Sequence, residues 1–283
     1  MTRRTIAREV VCEGVALHAG SIVRMSLAPA SPGSGIVFRR SDLGNLEIPA
    51  LYDRVGETRL GTVIGEGPAS VGVIEHLMAA VAGAGLDDLT VTLNGPEPPI
   101  LDGDSLGYLA LFDKAGLCEA VGGRRALKIE KRVQVQAGEA SAAFAPADAL
   151  SFDFDISFAS PAIGTQSFTW VFSTDGFRRD IAPARTFGFV SELEALNKMG
   201  LAKGASLDNT LAIDGDRVVN ATLMRFPDEF VRHKILDALG DMALAGAPII
   251  GKFEGRRSGH ALNNQLLRAV FADTANYAWQ DEP

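Results

Sequence analysis

Residues Arg225 to Asp241 read RFPDEFVRHKILDALGD, and the fold turns on how that stretch is read. Asp228 suits an N-cap, Glu229 falls in the first turn, and Gly246 with Pro248 supplies a stop, so the pattern predicts a helix over 228–245. Phe230, Ile235, Leu236, Ala238, Leu239 and Met242 cover most of its surface with apolar groups, which predicts burial. His233, Asp237 and Asp241 recur every four residues on one stripe, with neighbouring Cβ atoms about 5–6 Å apart. These are metal-ligand residue types at metal-ligand spacing, and a buried acidic stripe needs a cation or donors to compensate it. An ordinary i,i+4 pair on a solvated face is the competing reading, and the rest of the chain has to decide between them.

The 283 residues allow two domains of ordinary size. With 47% apolar and 22% charged residues the chain is too apolar for a disordered one. A net charge of −8 disfavours a nucleic-acid partner. The opening MTRRTIAREVVCEG has basic residues without an apolar run behind them, so it is not read as a secretory signal. LMAAVAGAGL and MALAGAPIIG reach only half of the roughly 20 apolar residues a membrane-spanning helix needs. Cys12 and Cys118 lack CxxC spacing, which fits a reducing cytoplasm and argues against thiolate metal sites. The four histidines, His18, His76, His233 and His260, are therefore read one by one.

Residues 5–64 read as short strands broken by Gly, Pro, Ser and Asn, with His18 closing a Gly-bounded turn rather than acting in catalysis. From 71 the pattern turns helical in VGVIEHLMAAVAGAG, with Glu75 and His76 at the strand-to-helix transition and Gly83 and Gly85 at the end. A strand, the Pro-rich GPEPPILDGDS and a helix around 105–116 follow, and Gly122 to Arg125 reads as a domain link. The second half repeats the plan. Strands are expected at 126–136, 140–145, 150–158 and 165–172, then a small helix-bearing insertion over 190–200, the long helix, the strand IIGKFEGRR and a last helix opened by SGHALNNQLLRAV. Each half is several strands followed by helices, the signature of an α+β fold of two domains, 1–122 and 126–283, with the insertion near 185–215. EHLMAAVAG and RHKILDALG carry a faint internal echo.

A catalytic zinc site needs three ligands and an open position. His233 and Asp237 supply two from one helix face, and His76, at the matching place in the other half, is the natural third. A carboxylate among the ligands leaves a net positive charge on the site, enough to acidify a bound water and polarise a carbonyl. Glu75, adjacent to a ligand without being needed as one, is placed to take the proton of that water. His260 suits a proton donor for the leaving group, and as it opens a helix it needs a carboxylate such as Asp241 to stay charged.

IEHLMAA, GPEPPILDGDS, IAPARTFGF, GLAKGASLDN, FPDEFVRHKILDALGD and SGHALNN, in that order and spacing, resemble the UDP-3-O-acyl-N-acetylglucosamine deacetylases, zinc amidases that commit Gram-negative bacteria to lipid A synthesis. The likeness runs over essentially the whole chain. It implies His76, His233 and Asp237 as ligands of one zinc ion per chain, Glu75 as general base, and His260 as general acid supported by Asp241. It also implies Lys234 near the substrate and Thr186 at the oxyanion. The implied fold has two similar domains, each a sheet against two helices, with the site between them. The implied protein is a cytoplasmic monomer acting on a small UDP-linked acylated sugar.

The family builds an apolar acyl channel from the insertion, for which this chain offers Phe187, Phe189, Leu193 and Met199; without the resemblance these read as core residues. Phe158 matches the position that stacks on uracil. Arg257 stands where the family usually has lysine, and a guanidinium can still hold a diphosphate. Ser191 and Glu192 replace the commoner Arg-Asp. No fused dehydratase domain is expected after the last helix. Two rival readings remain: an amidase of the same mechanism on another acylated amino sugar, and a non-catalytic binding protein with a structural metal. Iron(II) suits the same ligands as zinc.

Overall fold

The computed structural model describes residues 2–281. Its two main sheets share one plan. The first orders its strands Val10–Val15, Ile22–Pro29, Leu89–Leu93, Ile36–Arg40 and Leu46–Pro49. The second orders them Val133–Ala137, Ala140–Ala145, Lys252–Arg256, Ser151–Ser157 and Thr165–Val171. In each the last strand in the chain is inserted at the centre, and its pairing with the third strand is the sheet's one parallel contact. Alternation explains the strands: Val23, Met25 and Leu27 are buried between exposed or half-buried neighbours, and Phe152, Phe154 and Ile156 are buried between half-buried ones in the second sheet.

The helices are α1 (Glu75–Ala84), α2 (Leu106–Ala115), the single turn α3 (Thr174–Gly176), α4 (Val190–Lys198), α5 (Glu229–Ala243) and α6 (His260–Phe271). Helices α1 and α2 serve the first sheet, and α5 and α6 the second, so the fold is α+β with two similar units. One apolar core joins them, running through Leu77 and Met78 of α1 to Ile235 and Leu239 of α5. The echo in the sequence marks this contact: α1 and α5 occupy equivalent places and pack on each other. Gly240 permits it, because a Cβ there would lie 2.0 Å from the Glu75 carbonyl oxygen. The insertion is a separate layer in which Phe187–Phe189 runs parallel to Leu211–Asp214, with α4 between them in the chain.

Several local expectations change; the strand IIGKFEGRR, for one, divides into Ile249–Ile250 and Lys252–Arg256 in different sheets. The strand expected at 126–136 is two strands in different sheets, Arg125–Ile129 and Val133–Ala137. The break falls where the Glu130 and Lys131 N–H groups turn to the Asn276 carbonyl. The stretch read as a link enters as a strand, Leu117–Gly123, paired with Thr2–Ile6. Asp228 precedes α5 without capping it; its Oδ1 holds Arg232 Nε at 2.6 Å, one turn on. No helix is long and apolar enough to cross a membrane among the described residues.

Candidate active site

The first turn of α1 carries Glu75 and His76, and the inner face of α5 carries His233, Asp237 and Asp241. The α1–α5 contact therefore brings both sets together. His76 Nε2 lies 3.6 Å and His233 Nε2 3.4 Å from Asp237 Oδ1. One ligand atom from each of the three residues falls within 4.8 Å of the others, and all three side chains are buried. The donor set fits a divalent ion. Asp237 Oδ1 is buried with no hydrogen-bond partner, although two imidazole nitrogens converge on it. His233 Nδ1 donates to the Ala184 carbonyl at 3.1 Å, which leaves the Nε2 lone pair facing the cluster. Burial, aided by the nearby His76 and Lys234 charges and opposed by Asp237, pushes His233 down to about 3, so the ring is neutral as a ligand must be.

Around this cluster opens a cleft of about 640 Å³. Glu75, His76, Phe158, Thr186, Phe187, His233, Lys234, Asp237 and His260 all line it. Burial raises the Glu75 carboxyl above its ordinary value, and the His260 and His76 charges offset part of that rise. The Thr62 N–H donates to Glu75 Oε2 at 2.9 Å and fixes the carboxylate. On the other side His260 Nδ1 donates to Asp241 Oδ2 at 2.9 Å, so Nε2 faces Asp237, 4.0 Å from its Oδ2. Burial works against the imidazolium, but the Asp241 charge and hydrogen bond, with Glu75 and Asp237, outweigh it and push His260 up to about 9. Lys234 Nζ donates to Asp237 Oδ2 at 2.6 Å.

The aromatic residues form a wall. Phe187 packs edge-on against Phe158, Phe230 and the His233 ring at centroid distances of 5.6, 5.0 and 6.1 Å, and Phe189 lies 6.1 Å from Phe158. Leu193 and Met199 stand apart from the cleft lining, exposed at α4 and its C-terminal end. Arg257 also lies outside that lining and pairs with Glu139 of the facing hairpin. His18 sits in its turn, but the Ala16, Gly20 and Ser21 backbone closes it; the His18 ring instead reaches the Leu60 carbonyl at 3.0 Å and accepts from the Ala202 N–H at 3.3 Å, joining the insertion to the loop that lines the cleft.

Reading the sequence missed the residues that hold these groups. Thr62 Oγ1 donates to Asp241 Oδ1 at 2.5 Å, and Asn263 Nδ2 donates to Asp241 Oδ2 at 2.8 Å. Asn263 had a signal, since it lies three residues past His260 on one helix face; Thr62 had none. Glu229 and Arg185 form a buried pair at 3.0 Å, and Glu229 also accepts the Arg185 and Arg225 N–H groups.

Comparison with known proteins gives the family. The family model for UDP-3-O-acyl N-acetylglycosamine deacetylase matches residues 3–272. A UDP-3-O-acyl-N-acetylglucosamine deacetylase from Myxococcus xanthus (strain DK1622) is 45% identical over 97% of this chain and 88% of its own length. Proteins of the same name from Anaeromyxobacter sp. (strain Fw109-5) and Phenylobacterium zucineum (strain HLK1) are each 44% identical over 96% of this chain, and over 89% and 94% of their own lengths. With likeness of that extent and identity, the chain belongs to the UDP-3-O-acyl N-acetylglycosamine deacetylase family.

Proposed function

We propose that this chain removes the N-acetyl group of UDP-3-O-acyl-N-acetylglucosamine, releasing acetate and the free amine, as a cytoplasmic, monomeric step of lipid A synthesis. The observation that carries the reading is the flanking of the His76, His233 and Asp237 cluster by one carboxylate and one imidazole, Glu75 and His260, in a single cleft.

His76, His233 and Asp237 would hold zinc, which supplies Lewis-acid polarisation and acidifies water. Glu75, kept in place by the Thr62 N–H, takes a proton as the water oxygen bonds to the amide carbon. The Thr186 hydroxyl on the cleft wall donates to the carbonyl oxygen as charge develops there. His260, held as imidazolium by Asp241, gives its Nε2 proton to the nitrogen as the carbon–nitrogen bond breaks. Lys234 adds positive charge beside the anionic sugar nucleotide. Phe158 offers a face to uracil, Phe187, Phe189, Leu193 and Met199 offer apolar surface to the acyl chain, and Arg257 offers its guanidinium to the diphosphate.

Deacetylation of UDP-3-O-acyl-N-acetylglucosamine by native, chelator-treated and zinc-restored protein tests the reading. Activity lost on chelation and regained with zinc supports it. Regain with iron(II) alone would revise the metal, and an inactive zinc-replete protein would turn the reading towards another acylated amino sugar or a binding role.

A further inference from the structure

Gly103, Asp104 and Ser105 belong to the first half of the chain, and each bonds into the second. The Thr186 N–H donates to the Gly103 carbonyl at 2.8 Å, and the Ser105 N–H to the Ala182 carbonyl at 3.0 Å. The Asp104 carboxylate accepts from Arg225 Nη1, which also donates to the Pro183 carbonyl at 2.6 Å. Both Asp104 and Ser105 are fully buried. So close an approach requires glycine at 103: its φ is +77°, and a Cβ would lie 1.8 Å from the Asn209 carbonyl oxygen.

Ser105 stands at the N-cap of α2, where a serine hydroxyl ordinarily accepts an N–H of its own helix. It makes no such bond. Asp104 Oδ1 takes the Leu106 N–H instead, at 2.9 Å, and the Ser105 hydroxyl donates to the His76 carbonyl at 2.8 Å. Ser105 therefore grips the first turn of α1 with its side chain and the segment leading to Thr186 with its backbone. It does so from behind, since it does not line the cleft.

We infer that Gly103, Asp104 and Ser105 form a positioning unit, with Ser105 as its pivot, that sets the spacing between Glu75 and Thr186. The inference rests on the roles proposed for those two residues. A displacement of about 1 Å between reacting groups costs up to about 100-fold in rate, so the unit acts on turnover and not on substrate affinity.

The test compares kcat and KM of zinc-replete Ser105→Ala, Asp104→Asn, Thr186→Val and the Ser105→Ala/Thr186→Val double variant on UDP-3-O-acyl-N-acetylglucosamine. The same test follows amide hydrogen exchange in the metal-free proteins. The expected result is kcat lowered about 10- to 100-fold in Ser105→Ala and Asp104→Asn at an almost constant KM. Once Thr186→Val is present, Ser105→Ala should cost less than about threefold more, with faster exchange at the Thr186 N–H and in the first turn of α1. A purely structural role predicts losses that multiply, and that outcome, or a kcat within about twofold of the parent in both single variants, overturns the inference. Asp104→Asn keeps its shape and carries the test if Ser105→Ala does not fold. Full activity in Thr186→Val together with Glu75→Ala would instead overturn the roles of those two residues, and exchange would still decide whether the turn ties α1 to residues 182–186.

Discussion

His260 Nδ1 donates to Asp241 Oδ2 at 2.9 Å, on a carboxylate whose other oxygen is taken by Thr62. Burial alone would strip the charge from this ring, and the Asp241 carboxylate reverses the outcome, pushing it up to about 9 from 6.5. In metal-free protein the His260 ring should stay protonated at neutral pH in an imidazole NMR titration. Asp241→Asn removes the largest opposing charge and leaves burial opposed by Glu75 and Asp237 alone, so the ring should then lose its proton at a lower pH than in the parent. The sign also fixes a stability effect: a raised folded-state value means stabilisation fully present below pH 6.5 and lost as pH rises through about 9. Urea midpoints of the metal-free protein should fall across that window, and less so in His260→Ala.

The contact between α1 and α5 depends on Gly240. An added Cβ would meet the Glu75 carbonyl oxygen at 2.0 Å, a backbone atom that cannot yield without moving α1. Gly240→Ala should cost at least about 1–3 kcal/mol in urea denaturation and impair metal retention, because His76 moves with α1. Gly188, whose added Cβ would meet nothing within 4 Å, provides the control; Gly188→Ala should stay within about 0.5 kcal/mol of the parent.

Arg185 and Glu229 are both buried, and Glu229 accepts the Arg185 and Arg225 N–H groups besides the guanidinium. Removing one partner strands the other charge and several donors. Glu229→Ala should lower unfolding stability by about 3–5 kcal/mol. Replacing Arg185 and Glu229 together by apolar residues should cost less than the sum of the two single changes, and additive losses would contradict the pairing.

Much of this was legible because periodicity reports burial and because His233 and Asp237 share a face of one long helix. The echo between EHLMAAVAG and RHKILDALG was legible too, and the structure gives it a cause in two sheets of one topology whose equivalent helices pack together. What stayed hidden depends on contacts distant in sequence. Thr62 reaches Asp241 across 179 positions, and no local pattern marks it. Ser105 occupies the N-cap position of α2 but gives its hydroxyl to another helix. Asp228 is the exception, a local one: it reads as a cap, but Arg232, one turn on, claims its carboxylate. The break at Glu130 and Lys131 follows from Asn276, far along the chain.

In the proposed mechanism Glu75 acts on the water while His76, His233 and Asp237 hold the metal. Zinc content and kcat of Glu75→Ala and Asp237→Ala, measured side by side on UDP-3-O-acyl-N-acetylglucosamine, test it most directly. Glu75→Ala should keep one zinc per chain and lose at least about 100-fold in kcat, the lower end of a general base's contribution, while Asp237→Ala should lose the metal as well. A zinc-loaded Glu75→Ala protein that turns over within about tenfold of the parent would contradict it.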